Sequence, residues 1–203
     1  SNKDLPVKRN KKKRKYQRAR IAKKNLKGTS IEERPPHIGK REEYGHWEMD
    51  CFVGKRGESG ATLLVLTERS TRQEIIRKMP NKTQASVKKE LDKLERKYGK
   101  NFSKCFKTIT VDNGPEFLNS IELETSVLDR KKKRFKLYYS HPYSSWERGS
   151  NENANRLIRR FIPKGTDIGK LTDGDIQMIE HWINNYPRRI FGYRSANEMV
   201  MVA

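Results

Sequence analysis

Residues 46–54 read HWEMDCFVG, and their period-two alternation decides the class of fold. Trp47, Met49, Cys51 and Val53 would share one face of a strand, with Glu48, Asp50 and Phe52 on the other. Moving outward, Gly54-Lys55-Arg56-Gly57 reads as a turn. The run ATLLVLTE at 61–68 suits a strand buried on both faces, and TRQEIIRKM at 71–79 is a third strand with more polar character. Short loops between the three predict an antiparallel meander. A helix follows, with Thr83 as N-cap, Val87, Leu91, Leu94 and Tyr98 on one stripe, and Gly99 as its stop. KTITVD at 107–112 is the next strand, followed by an Asn113-Gly114-Pro115 turn and a helix from Glu116. FKLYYS at 135–140 is another strand, and 149–162 reads as a helix ended by Pro163. The last helix starts at a capping box, Thr172 with Asp175, turns Ile176, Ile179 and Ile183 inward, and ends before Pro187. The order βββαβαβαα is that of an α/β protein.

Upstream of this core the composition changes. The 203 residues carry 46 Lys and Arg against 25 acids, a net charge of +21, with 33% hydrophobic residues. Residues 1–40 hold 15 of those bases and 3 acids, so +12 of the charge lies in a basic arm and linker, leaving 41–203 as the folded core. The arm is expected to be extended or helical, with Lys11, Lys12, Lys13 and Arg14 as phosphate contacts. The excess points to a polyanion, nucleic acid ahead of a membrane surface. The longest uncharged apolar stretch, Ala61–Thr67, is too short to span a bilayer, and no signal-peptide core is present. Cys51 and Cys105 lie far apart without a C-x-x-C, which argues against a disulfide framework or structural zinc. A cytoplasmic location is expected.

Three carboxylates stand where acids would ordinarily be avoided or deliberately placed. Asp50 sits inside the first strand among apolar neighbours, where burying a charge needs compensation. Asp112 ends the fourth strand, and Glu152 lies near the start of the helix within GSNENANRLIRR. If the first and fourth strands are neighbours, Asp50 and Asp112 project from one edge, and a helix packed across it could bring Glu152 to them. Three converging carboxylates repel unless a cation neutralises them, and all-oxygen donors suit two Mg²⁺ or Mn²⁺ ions. Such a pair serves in-line phosphoryl displacement. Each acid could instead be an ordinary salt-bridge partner.

The segments Gly45-His46-Trp47-Glu48-Met49-Asp50, Thr110-Val111-Asp112-Asn113-Gly114 and Ser145-Trp146-Glu147-Arg148-Gly149-Ser150-Asn151-Glu152-Asn153 resemble the signature blocks of DDE transposases of the insertion-sequence-thirty family. The resemblance runs from about residue 30 to the C-terminus. It implies an RNase H-like, integrase-type catalytic core, a mixed five-stranded sheet flanked by helices. Asp50, Asp112 and Glu152 would be its metal-binding triad, cleaving DNA at transposon ends and joining the 3′-OH to target DNA. DNA would be the partner, held by a homodimer or larger assembly, with no membrane and no small-molecule substrate. Members of the family carry an N-terminal helix-turn-helix region. None is read here, so the chain is expected to be a catalytic piece in a bacterial, nucleoid-associated setting. The 39 residues between Asp112 and Glu152 are long for the group, with the basic run 129–136 as the inserted part.

Around the triad, Glu147 and Glu116 are rival third carboxylates, and Glu48 is a candidate supporting group, a salt bridge to a lysine being the plainer reading. Arg148, Asn151, Asn155, Arg156 and Arg159 lie on or beside the Glu152 helix face as DNA contacts. Asn113, His141 and Trp146 complete the candidate DNA surface, with Trp146 able to stack on an unpaired base. His46 and His181 read as packing or hydrogen-bonding groups. Competing functions are a related integrase or nuclease, a non-catalytic basic DNA-binding scaffold and a structural RNA-binding protein.

Overall fold

Every side chain from Thr62 to Glu68 is buried, because apolar layers cover both faces of this run. In the computed structural model, which describes residues 28–55, 59–142 and 144–202, it is an inner strand of a six-stranded mixed sheet. The strands are β1 (Thr29–Ser30), β2 (His46–Val53), β3 (Thr62–Glu68), β4 (Glu74–Met79), β5 (Thr108–Val111) and β6 (Lys136–Tyr139). Their spatial order is β1-β6-β5-β2-β3-β4. The meander β2-β3-β4 is antiparallel, as its short loops require, while β5 joins β2 in parallel and β6 joins β5 in parallel. The sixth strand corrects the expected five. Thr29 and Ser30, read from sequence as part of a linker, pair in parallel with Tyr138 and Tyr139.

Helices cover both faces: α1 (His37–Lys40), α2 (Gln84–Tyr98), α3 (Phe102–Cys105), α4 (Ser120–Glu124), α5 (Gly149–Phe161), α6 (Asp173–Asn185) and α7 (Ala196–Val200). The alternation along β2 sorts the core. Trp47, Met49 and Cys51 pack with Val87, Leu91 and Leu94 of α2, whereas Phe52 packs with Ile158 of α5 and Ile176, Ile179 and Ile183 of α6. Asp50 therefore faces the α5 side. Thr83 caps α2, Gly99 ends it, and the Thr172–Asp175 capping box opens α6.

Local departures have local causes. The third strand starts at Glu74 rather than 71, because Arg72 has a positive φ of 61° in the turn after β3. The helix expected from Glu116 is split into a 3-10 turn, Pro115–Phe117, and α4, whose start is fixed by Asn119 accepting from the Glu122 N–H. The basic run 129–136 is not a uniformly solvated insertion. Arg134 is buried and donates to Asp92 at 2.6 Å and to the Leu123 carbonyl at 2.7 Å.

The outer edge of the sheet is occupied by side chains of α6. Glu180 accepts from the Ile76 N–H at 2.6 Å, and Asn184 both accepts from the Glu74 N–H and donates to the Glu74 carbonyl, each at 2.8 Å. No helix among the described residues is long and apolar enough to cross a membrane.

Candidate active site

Parallel pairing of β2 and β5 matches Trp47 with Ile109 and Glu48 with Thr110. The same register carried two residues further sets Asp112 level with Asp50, just past the end of β5. Each carboxylate is held by its own chain: Asp50 Oδ1 accepts from the Cys51 N–H and Asp112 Oδ1 from the Gly114 N–H, both at 2.9 Å. Between them lies the Arg148 guanidinium, 3.7 Å from Asp50 Oδ1 and 3.3 Å from Asp112 Oδ2. Burial raises the Asp50 pKa. The Arg148 charge opposes that rise and the neighbouring Asp112 adds to it.

Helix α5 crosses this pair. Asn155 donates to Asp50 Oδ2 at 3.0 Å. Arg148, Glu152 and Asn155 follow one another at helical spacing, so the two residues flanking Glu152 on its stripe both contact Asp50. Glu152 itself is exposed and, among the described residues, makes no ion pair. The three acids occupy neighbouring positions but do not close into one tight group. Among the described residues, the group of metal-ligating types with all ligand atoms within 4.8 Å is His37, Glu43 and His46, at the start of β2. There the buried His46 is hydrogen-bonded to Glu43 at 2.9 Å and to Thr108 at 2.8 Å, in keeping with its expected packing role.

The position of α5 is set by a residue whose weight the sequence understated. Glu48, fully buried, accepts from the N–H groups of Ser150 and Asn151 at 2.9 and 3.0 Å. It caps the N-terminus of α5 from within β2, two residues before Asp50. Its charged neighbour is Arg69 at 3.5 Å, not a lysine. Asn151 completes the joint. With its amide oriented to suit its surroundings, it donates to the Glu48 carbonyl and to Thr67, and accepts from the Asp50 N–H at 3.1 Å. The sequence signal for Glu48 was its place on the Asp50 face of a buried strand.

The remaining candidates divide by exposure. Trp146 is 73% exposed beside Arg148, and Arg156 is exposed, donating to Asn153 rather than to Glu152. Asn151 is buried against the sheet. Arg159 stacks on Phe52, 3.8 Å from the ring centre, and donates to the Val53 carbonyl at 2.7 Å. Asn113 donates to the Ser140 carbonyl at 2.8 Å, tying the end of β5 to the end of β6. His141 is held by Glu147 at 2.7 Å and Glu32 at 3.0 Å, which raise its pKa. That contact engages Glu147, and Glu116 is buried against Lys82. Lys11, Lys12, Lys13 and Arg14 lie outside the described residues.

A mixed α/β sheet with two aspartates level at adjacent parallel strands, crossed by an acid-bearing helix and set in a strongly basic chain, defines an acidic site in a protein suited to polyanions. No family model matches the chain. Comparison with known proteins finds the transposase of insertion sequence element IS4351 from Bacteroides fragilis, 39% identical over 83% of this chain and 48% of that protein. The protein named "Probable transposase for insertion-like sequence element IS1161" from Streptococcus salivarius is 37% identical over 92% of this chain and 50% of its own length. Transposase InsI of IS30C from Escherichia coli K12 is 33% identical over 86% and 43% respectively. Transposases of IS30-type insertion sequences thus match this chain at 33–39% identity over most of its length. The chain spans about half the length of these curated relatives.

Proposed function

We propose that this chain is the RNase H-like catalytic core of a DDE transposase, cleaving DNA at element ends and transferring the 3′-OH into target DNA. The observation that carries the reading is the level placement of Asp50 and Asp112 on adjacent parallel strands, with Glu152 on the helix that contacts Asp50. The donor chemistry fits Mg²⁺ or Mn²⁺: hard oxygens, partly buried, whose mutual repulsion the Arg148 cation already offsets. Asp50, Asp112 and Glu152 would hold the ions, with Arg148 drawing back from between the aspartates. Bound divalent metal would supply activation of the attacking oxygen and stabilisation of the leaving one.

The chain's own residues account for the rest. Glu48 and Asn151 fix α5, and so the reach of Glu152, relative to β2. Asn155 orients Asp50. Arg148 and Arg156 present cations to the DNA backbone, and the exposed Trp146 ring offers a stacking surface for an unpaired base at the cut. The basic arm adds affinity without sequence choice. A second copy of the chain would hold the second DNA end.

The test is cleavage and strand transfer with end-containing supercoiled DNA in Mg²⁺ or Mn²⁺. Asp50→Asn, Asp112→Asn and Glu152→Gln should each abolish product while leaving DNA binding within a few-fold of wild type. Full cleavage by any one of them removes that residue from the mechanism, and metal-independent binding with no cleavage by wild type supports a scaffold instead.

A further inference from the structure

Glu116 follows Asp112 by four residues and is 1% exposed, yet it is a carboxylate in a site already crowded with negative charge. Its carboxyl group lies against Gly114, so closely that a Cβ there would sit 2.8 Å from it. The same Gly114 supplies the N–H that holds Asp112. Among the described residues, the group that answers the Glu116 charge is the Lys82 ammonium at 2.9 Å, from the loop between β4 and α2. Unlike its partner, Lys82 is 43% exposed. Partial burial works against the ammonium, but the ion pair with Glu116 and the field of Asp112 outweigh it and raise the Lys82 pKa.

An ion pair with one buried end is a poor device for stability, since well-packed apolar residues in place of the buried charge commonly do as well. What it does accomplish is placement. An ordinary surface lysine samples many rotamers and loses that freedom when it binds. Here one end of the pair is rigid beneath the Asp112 turn, so the ammonium is already fixed at the rim of the carboxylate site. An ammonium carries three N–H donors, and this one is partly exposed, so it can serve a ligand while paired with Glu116.

We infer that Lys82, held by Glu116, is a phosphate-binding residue of this site, contacting a non-bridging oxygen of the DNA backbone beside the phosphodiester that the carboxylates engage. This rests on the reading of the chain as a DNA-processing core and adds a contact on the β4–α2 loop to the cations of the α5 region. Lys82 touches substrate; Glu116 is a positioning residue acting through it.

The experiment measures binding of the 203-residue chain to a fluorescent duplex across a salt series, for wild type, Lys82→Ala, Lys82→Arg, Glu116→Gln and the double variant Lys82→Ala/Glu116→Gln. Lys82→Ala should weaken binding about 3- to 10-fold and lower the slope of log K against log salt by about one, and Lys82→Arg should restore the slope. The double variant removes the unpaired buried carboxylate that could unfold the single one, and should show the same loss of slope. Glu116→Gln keeps the cation, so its slope should stay near wild type while cleavage by the variant falls. An unchanged slope in the folded double variant overturns the proposal and leaves Lys82 as a neutraliser of Glu116. Cleavage by wild type is scored in parallel. If it is absent, the catalytic reading fails, whereas the slope still reports on the lysine.

Discussion

Arg148 and His141 show how single residues manage charge at this site. Asp112 lies close enough to disfavour ionisation of Asp50, and the Arg148 guanidinium between the two opposes that effect. His141 plays a related part a few residues upstream, where Glu147 and Glu32 both accept from its ring and raise its pKa. Glu32 belongs to the segment that follows β1, so the imidazolium joins the N-terminal stretch to the loop before α5. Because the folded chain holds this proton more tightly than the unfolded one, the contribution is fully present below about pH 6.5. It is lost as pH rises through the elevated folded value. Titration of the His141 ring by NMR should give a midpoint above that of a free histidine, and Glu147→Gln should bring it down. A midpoint unmoved by the substitution would mean the Glu147 contact does not hold the proton.

Helix α5 is the element on which the site depends, and its anchoring lies in β2 rather than in its own sequence. Its first turn lacks a capping side chain of its own; Glu48 supplies the acceptor, and Arg72 adds a bond to the Ser150 hydroxyl. Glu48→Gln preserves shape but weakens both bonds to the helix amides, and should cost about 1–3 kcal/mol. The cost should appear as a lower urea midpoint, with faster hydrogen exchange at Ser150 and Asn151 than elsewhere in α5. Exchange quickened evenly across the whole chain would instead point to a general loss of packing. This joint also marks where sequence legibility ended. The alternation of Trp47, Met49 and Cys51 against Asp50 and Phe52 was readable because period two is a property of neighbours along one strand. So were the caps at Thr83 and Thr172. That Glu48 meets Ser150 was not, because the contact spans a hundred residues and depends on how a helix lands on a sheet. The same holds for Arg134, whose basic neighbours disguised a buried partner of Asp92. It holds too for the pairing of Thr29-Ser30 with β6, which no local pattern announces. Asp50 and Asp112 were legible as strand-borne acids, but the Arg148 bridge between them was not.

At the scale of the whole molecule, a charge of +21 and a sheet of six strands set conflicting demands. The charge favours solubility of free chains through mutual repulsion, yet on a polyanion that repulsion is neutralised and copies are brought together. Under those conditions an open sheet edge is a hazard. The α6 contacts with Glu74 and Ile76 bear on this. Replacing Asn184 with Leu and Glu180 with Ala should leave the helical content intact while increasing light scattering when DNA is added. Scattering equal to wild type would show that these contacts serve packing alone. With the Glu74 and Ile76 amides already matched by an amide and a carboxylate from its own chain, this stretch of β4 offers a neighbour's strand no open template. If copies gather along DNA as proposed, they could crowd shoulder to shoulder at this edge without joining strand to strand.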